Sequence, residues 1–385
     1  MNVLTKIRYD SLTAEIEFPL DDDSLDKILR DNYMPTDTTQ PFYVRSIDYP
    51  NALSGLEGKT VNLDELNYLA KRMESFCDDE YKQFSIAVER TNAANLKDMI
   101  NLTFNLDKYT LITDISDMTK VGRDYILNTE GVVPADSRYD EKYAQIGKDL
   151  LNSGRGILTE KGLLFESEKP VNEVYDGQVF PSYAYKDFIL SVDISYNGKS
   201  ESVFLPDSAL AVKKAVQRLG APLIEDCKLN IECENPDYEK LEQYFEKVLS
   251  NEGIYELNDL LSIVDENLID AKKLSSAIDF IGVSTADNIG VIAENLDELE
   301  LIEDVSYGDY EAVGRFFVDS DCYEEYEISD DLQDFFDFAG FGEHIADEMD
   351  GEFVPEGFIF YDGNGKIDDL RNQLESEESL TMGGM

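Results

Sequence analysis

Basic residues are scarce in this chain: 33 Lys and Arg face 82 Asp and Glu over 385 residues, a formal net charge of −49. Self-repulsion on that scale destabilises a compact state, so the charge serves something other than folding. It excludes direct binding to nucleic acid or anionic lipid and points to a cationic partner. Histidine is scarcer still. The single one, His344, lies among Glu343, Asp347 and Glu348 and reads as an exposed helix residue rather than a catalyst. A histidine-based triad therefore has no material. Cys77, Cys227, Cys233 and Cys322 show no CxxC pairing and no ligand spacing with histidine, which excludes a zinc site and reads as reduced thiols in a cytoplasmic protein. Neither a GxxxxGK[ST] loop nor a strand-linked GxGxxG occurs. The segment ‘YDGNGKIDD’ offers Asp362, Asn364 and Asp368 in the manner of a calcium loop. However, Lys366 takes a ligand position and Ile367 stands where glycine is required, so it reads as a turn. The N-terminus ‘MNVLTKIRYD’ has no apolar signal region, and no run approaches the roughly 18 apolar residues of a membrane span. The expectation is a protein without enzymatic chemistry, metal or cofactor.

What is present is a core. Hydrophobic residues make up 42% of the chain, with 22 Tyr and 20 Phe, which suits folded domains rather than an acidic coil. Matching features recur in order along the two halves. ‘YDSLTAEIEFP’ (9–19) pairs with ‘YNGKSESVFLP’ (196–206), and ‘DY’ recurs at 48–49 and 237–238. ‘ELN’ recurs at 65–67 and 256–258, and ‘NLDKYTLITDISDMTKVGRDYIL’ (105–127) pairs with ‘NLDELELIEDVSYGDYEAVGRFFV’ (295–318). ‘YAQIGKDLLNSGRGILTEKGLLF’ (143–165) pairs without a gap with ‘FAGFGEHIADEMDGEFVPEGFIF’ (338–360), matching Gly147, Gly156, Gly162 and Phe165 to Gly342, Gly351, Gly357 and Phe360. We read a tandem duplication of an elongated multi-subdomain α+β unit: copy 1 at 1–167, a linker at 168–186, copy 2 at 187–366, and a disordered tail at 367–385.

Within each copy, alternation predicts a hairpin followed by a helix (1–60 and 187–250). Ile16 and Phe18 alternate before Pro19, as do Leu190, Val192 and Ile194 before Asn197-Gly198, a tight-turn pair. Helices follow from Ser24 with Leu25, Ile28 and Leu29, and from Ser208 with Val212, Val216 and Leu219, ended by Gly220. Leu241, Tyr244, Phe245, Val248 and Leu249 form one helical stripe, read as core. The middles (61–103 and 251–294) read as helical. The ends (104–167 and 295–366) mix helices with a glycine-bounded hairpin, a small α+β subdomain.

In order, these features resemble the ArdA-type antirestriction proteins. They comprise a strand ending ‘EFPLDDDSLDKI’, the acidic ‘DY’ loop, ‘ELN’ opening a helix, a segment running into ‘VGRDYILNTEGVVP’ or ‘VGRFFVDS’, and ‘YAQIGKDLL’ or ‘FAGFGEHIA’ before the terminal hairpin. The resemblance implies an elongated DNA mimic, encoded by a mobile genetic element. It would act in the host bacterial cytoplasm, occupying the DNA-binding groove of a Type I restriction-modification enzyme. The family carries one copy and dimerises; two joined copies suggest a monomeric pseudo-dimer.

The charge supports such a reading independently. Duplex DNA carries one charge per ~1.7 Å, so 49 charges correspond to roughly 80 Å of duplex. Residues 1–167 carry 30 acids and 19 bases, whereas 188–367 carry 43 and 11. From Glu294 to Asp362, 24 acids face one base, Arg315, while an ordinary surface intersperses both signs. The expected partner-binding surface is therefore Glu300, Glu303, Asp304, Asp309, Glu311, Asp319, Asp321, Glu324, Glu325, Glu327, Asp330, Asp331, Asp334, Asp337, Glu343, Asp347, Glu348 and Asp350. Alternatives are mimicry aimed at another DNA-binding machine, such as a CRISPR effector or nucleoid protein, or an acidic scaffold or cation-binding protein.

Overall fold

Both halves begin with an antiparallel hairpin. Strand β1 (Val3–Tyr9) pairs with β2 (Leu12–Phe18), and β8 (Leu190–Tyr196) with β9 (Lys199–Leu205). At the second turn Asn197 and Gly198 take φ of 49° and 80°, the left-handed pair that a two-residue hairpin matching strand twist requires. The computed structural model describes residues 2–134, 136–154, 156–167, 170–320, 323, 326, 328–363 and 374. It divides into two units: Met1–Lys186 with Ser195–Glu201 and Lys213–Cys227, and Asp187–Ile194 with Ser202–Val212 and Lys228–Met385. The described part of the linker, 170–186, thus belongs to the first unit. The expected tail, 367–385, lies outside the described residues except for Leu374.

A third strand joins each hairpin where the repeat reading placed none. Strand β3 (Phe42–Tyr49) pairs with β1 and leads to β4 (Thr60–Val61), giving the order β2-β1-β3-β4; β10 (Lys228–Glu232) gives β10-β8-β9. Two register shifts in the β1–β3 pairing break the alternation, so the buried residues are Phe42, Val44 and Ile47. In β10 no residue is fully buried: Leu229 and Ile231 alternate with polar residues over only five positions and are half-buried.

The middles are helical: α2 (Leu63–Glu74), α3 (Asp78–Thr91) and α4 (Leu96–Thr103) follow α1 (Asp22–Asp31) in the first unit. After α7 (Ala209–Leu219) come α8 (Glu242–Asn251), α9 (Ile254–Glu266), α10 (Ala271–Ile281) and α11 (Ala286–Glu294). Helix starts follow from local capping: Asn62 and Asn95 accept from the amides of Asp64 and Asp98, and Asp270 and Thr285 from those of Lys272 and Asn288. The recurring ‘ELN’ also has a structural purpose. The amide of Leu20, just after Pro19, donates to Asn67 Oδ1 at 2.9 Å, and that of Asp207, just after Pro206, donates to Asn258 Oδ1 at 2.9 Å. Each asparagine satisfies the backbone where a strand gives way to a helix.

Segment 170–186 has no helix or strand, yet its backbone is paired. Asn101 Oδ1 accepts from the amides of Val174 and Tyr175, both at 2.8 Å, while Asn105 donates to and accepts from Asn172 at 2.9 and 2.8 Å. Tyr175 is 1% exposed, and its hydroxyl donates to Glu65 Oε1 at 2.8 Å. Phe180 stacks on Tyr68 with ring centres 4.5 Å apart. Burial, reinforced by the Asp64 charge and only partly offset by the Tyr175 hydroxyl, holds the Glu65 carboxyl above its ordinary value. A raised folded value means a stability contribution present below about pH 4.5 and lost as pH rises through the folded value. Glu65→Gln keeps an acceptor for Tyr175 and removes that loss. It is expected to melt higher than the parent chain at pH 7, with the difference gone below pH 4.5; equal melting at both pH values would contradict this.

Each half ends in an α+β subdomain. In the first unit β5 (Tyr109–Ile112), α5 (Met118–Glu130), α6 (Asp140–Asn152), β6 (Gly156–Thr159) and β7 (Gly162–Glu166) give the sheet β5-β7-β6. In the second, β11 (Leu299–Glu303), α12 (Tyr310–Asp319), α13 (Asp330–Gln333), α14 (Phe338–Glu348), β12 (Glu352–Val354) and β13 (Gly357–Tyr361) give β11-β13-β12. The glycine of ‘VGR’ lets two helices touch backbone to backbone. A methyl at Gly122 would lie 2.0 Å from the Tyr143 carbonyl oxygen, and one at Gly314 would lie 2.1 Å from that of Phe338. The arginine that follows covers the same partner residue, Arg123 over the Tyr143 ring at 5.4 Å and Arg315 over the Phe338 ring at 4.1 Å. The chain is α+β throughout.

Candidate acidic interface

The most acidic segment folds on a dense aromatic core. Ile302, Val313, Phe317, Tyr323, Ile345, Phe358 and Phe360 are buried together, and Phe317 meets Tyr323 and Phe360 with ring centres 4.7 and 5.2 Å apart. This core dictates where the carboxylates go. In α12 the 3.6-residue period turns Val313, Gly314, Phe317 and Val318 inward, leaving Glu311, Arg315 and Asp319 on the outer face. In α14 it turns Phe338, Gly342, Ile345 and Ala346 inward and leaves Glu343, His344, Asp347 and Glu348 outward. One helix turn advances about 5.4 Å, so successive outward carboxylates stand a turn apart.

Among the expected site residues, Glu303, Asp304, Asp309, Glu311, Asp319, Asp334, Asp337, Glu343, Asp347, Glu348 and Asp350 are exposed and Glu300 is half-buried. Asp330 and Asp331 open α13. Asp321, Glu324, Glu325 and Glu327 lie outside the described residues, as does Cys322. The other three cysteines are free thiols.

These acids are not equivalent. Asp309 and Asp337 also cap α12 and α14, accepting from the amides of Ala312 and Gly340 at 3.1 and 3.0 Å. Glu311 is paired with Arg315 at 2.8 Å and Glu303 with Lys272 at 2.8 Å, while Lys273 lies 3.9 Å from Glu300. His344 is exposed, with Nε2 3.8 Å from Glu348, an ion pair only when the imidazole is protonated. Among the described residues no cation lies within ion-pair distance of Asp319, Asp334, Glu343 or Asp347. Those four carry charge that nothing described in the fold neutralises.

A second group of charges, in the first unit, was not singled out from the sequence. Lys214, 7% exposed along its side chain, donates to Asp22 at 2.6 Å and to Asp64 at 2.8 Å. Arg218, one turn on, donates to both oxygens of Glu201 at 2.9 and 3.1 Å and lies over the Phe180 ring at 4.6 Å. Asp64 Oδ1 also accepts from Thr38 at 2.6 Å, while Oδ2 has no hydrogen-bond donor and stands 3.7 Å from Arg218. Burial pushes the Glu201 carboxyl up despite Arg218. The partners lie up to 192 residues apart, so only the i,i+4 spacing of Lys214 and Arg218 was available as a local signal. Apart from Asp64 Oδ2 its members are paired with one another, which makes it structural cement rather than a reactive centre.

Among the described residues no group of carboxylates, cysteines and histidine has a metal-holding arrangement, and no helix is long and apolar enough to cross a membrane. No protein-family model matches the chain, and no curated protein matches it.

Proposed function

We propose that this chain is a DNA mimic of the ArdA type, which occupies the DNA-binding groove of a Type I restriction-modification enzyme in the host bacterial cytoplasm. One observation carries the reading: 24 acids to a single base from Glu294 to Asp362, on a segment whose aromatic core turns the carboxylates of α12 and α14 outward. A folded segment that forgoes nearly every base keeps most of its repulsion, screened by bound counter-ions that a cationic surface can displace. Lys and Arg that ordinarily hold phosphates supply that surface, with release of bound ions as the driving force. The reading involves no bond-breaking: binding excludes DNA by competition.

The same reading takes the two halves as tandem copies. The shared glycine contact between helices, the arginine over the facing ring and the asparagine of ‘ELN’ support descent from one unit, and one polypeptide then supplies what a dimer supplies elsewhere.

The test is displacement. The purified chain is expected to release labelled duplex from a Type I methyltransferase core, with affinity falling by an order of magnitude or more between about 50 and 200 mM salt. Failure to displace DNA at the lower salt would overturn the proposal.

A further inference from the structure

In ‘ISDDLQDFFDF’ (328–338), two apolar side chains stand in water amid four aspartates and no base. Phe335 is 87% exposed and Leu332 59%. They are three residues apart across a turn closed by the Phe335 amide, which donates to the Leu332 carbonyl at 3.0 Å, so they present one face. The adjacent Phe336 behaves conventionally, half-buried with its ring 5.1 and 5.3 Å from those of Phe338 and Phe341. A core with room for Phe336, Phe338 and Phe341 has left Phe335 outside.

The first half shows what the position does when it serves the fold. The gapless match between the halves begins at Tyr143 and Phe338; three residues before it stand Asp140, in the first turn of α6, and Phe335, ahead of α14. Asp140 lies 3.1 Å from Arg123, the ‘VGR’ arginine. The corresponding Arg315 is paired with Glu311 instead, 2.8 Å away. Ahead of its matched stretch the second half thus presents an exposed phenyl ring, where the first half presents a carboxylate beside its own arginine.

We propose that Leu332 and Phe335 form an apolar anchor that enters an apolar pocket on the basic protein surface bound by this unit, with the exposed Asp334 and Asp337 as its charged surround. Charge complementarity selects the occupant. A surface wrapped around this knob meets four aspartates in eleven residues, so it is cationic at its rim. A second copy brings another −49 to the contact, and nucleic acid or anionic lipid is repelled outright. An exposed aromatic desolvated at the centre of a polar ring is the usual form of an energetic anchor. The anchor rests on the proposed mimicry and deepens it. Binding driven by ion release alone collapses at high salt, whereas an apolar insertion persists and lets the protein hold its target where DNA is already loosened.

Displacement of duplex from the same methyltransferase core, measured across a salt series, separates the two ideas. Phe335→Ala and the double substitution Leu332→Ser with Phe335→Ala are expected to weaken binding about tenfold or more at every salt concentration, leaving the salt slope as it is. Neutralising Asp319, Glu343 and Asp347 to their amides is expected to flatten the slope. Because Phe335 packs in no core, its variant should melt with the parent chain, which thermal denaturation checks. Parental affinity for both apolar variants overturns the anchor while leaving mimicry intact. If the parent chain fails to displace DNA, both fall. If light scattering finds a dimer that Phe335→Ala dissociates, the face belongs to a second copy and the anchor is overturned.

Discussion

Gly342→Ala is expected to lower the melting temperature of the second unit by roughly 10 °C, about 3 kcal/mol, the smallest possible side chain having one of the largest effects in the molecule. A methyl there would lie 1.9 Å from the Tyr310 carbonyl oxygen and 2.7 Å from the Gly314 amide nitrogen. Both obstacles are backbone, so no rotamer can yield. Helices α12 and α14 must move apart, loosening Val313, Phe317 and Ile345 between them. Alanine’s better helix propensity returns about 1 kcal/mol, and the clash exceeds it. Ala339, exposed on the same helix, is the control: Ala339→Gly should cost only about 1 kcal/mol. The first unit should respond in the same way to Gly147→Ala, whose methyl would lie 2.2 Å from the Met118 carbonyl oxygen. Calorimetry should show each substitution moving the transition of its own unit. A Gly342→Ala chain as stable as its parent would mean that the helices do not touch at that point.

Lys214→Met is the second. It leaves Asp22 and Asp64 without the ammonium that both accept from, and removing one partner of a buried ion pair costs about 3–5 kcal/mol. The double substitution with Asp64→Asn should recover part of this, because one of the two stranded charges then disappears; a coupling of about 1 kcal/mol or more is expected from the cycle. The pH dependence follows from the same geometry. Burial pulls the Lys214 ammonium down, but Asp64 and Asp22 outweigh it and hold it above its ordinary 10.5. A raised folded value contributes stability below pH 10.5 that is lost as pH rises through the higher folded value. The parent chain should therefore lose this contribution in alkali, and the Lys214→Met chain should not. Identical alkaline curves, or a Lys214→Met chain of undiminished stability at pH 7, would show that the cluster is not holding the fold.

Patterns with a short period were legible without a structure. The alternation in the hairpins, the turn at Asn197-Gly198, the stripes that bury Phe245 and Val248, and the helical middles each depend on residues within a few positions of one another. So does the outward placement of Glu343 and Asp347: an amphipathic period that sends Gly342 and Ile345 inward leaves its acids nowhere else to go. The paired glycines were visible as matched positions, though the helix contact that requires them was not. Where local order was broken, as by the register shifts along β3, or short, as in β10 with only Leu229 and Ile231 alternating, the pattern carried too little signal for a strand to be recognised.

Only the tertiary structure decided that Lys214 is an interior residue, that Asp22 and Asp64 are its partners, and that Asn101 and Asn105 clamp a segment some 70 residues further on. Electrostatic and hydrogen-bond partners meet in space and leave no periodic trace along the chain. The identity of a buried lysine or a bracing asparagine is therefore a property of the assembled fold. The same holds for Phe335, which is one more apolar letter in an aromatic run until packing places Phe336 and Phe338 inside and leaves it in water.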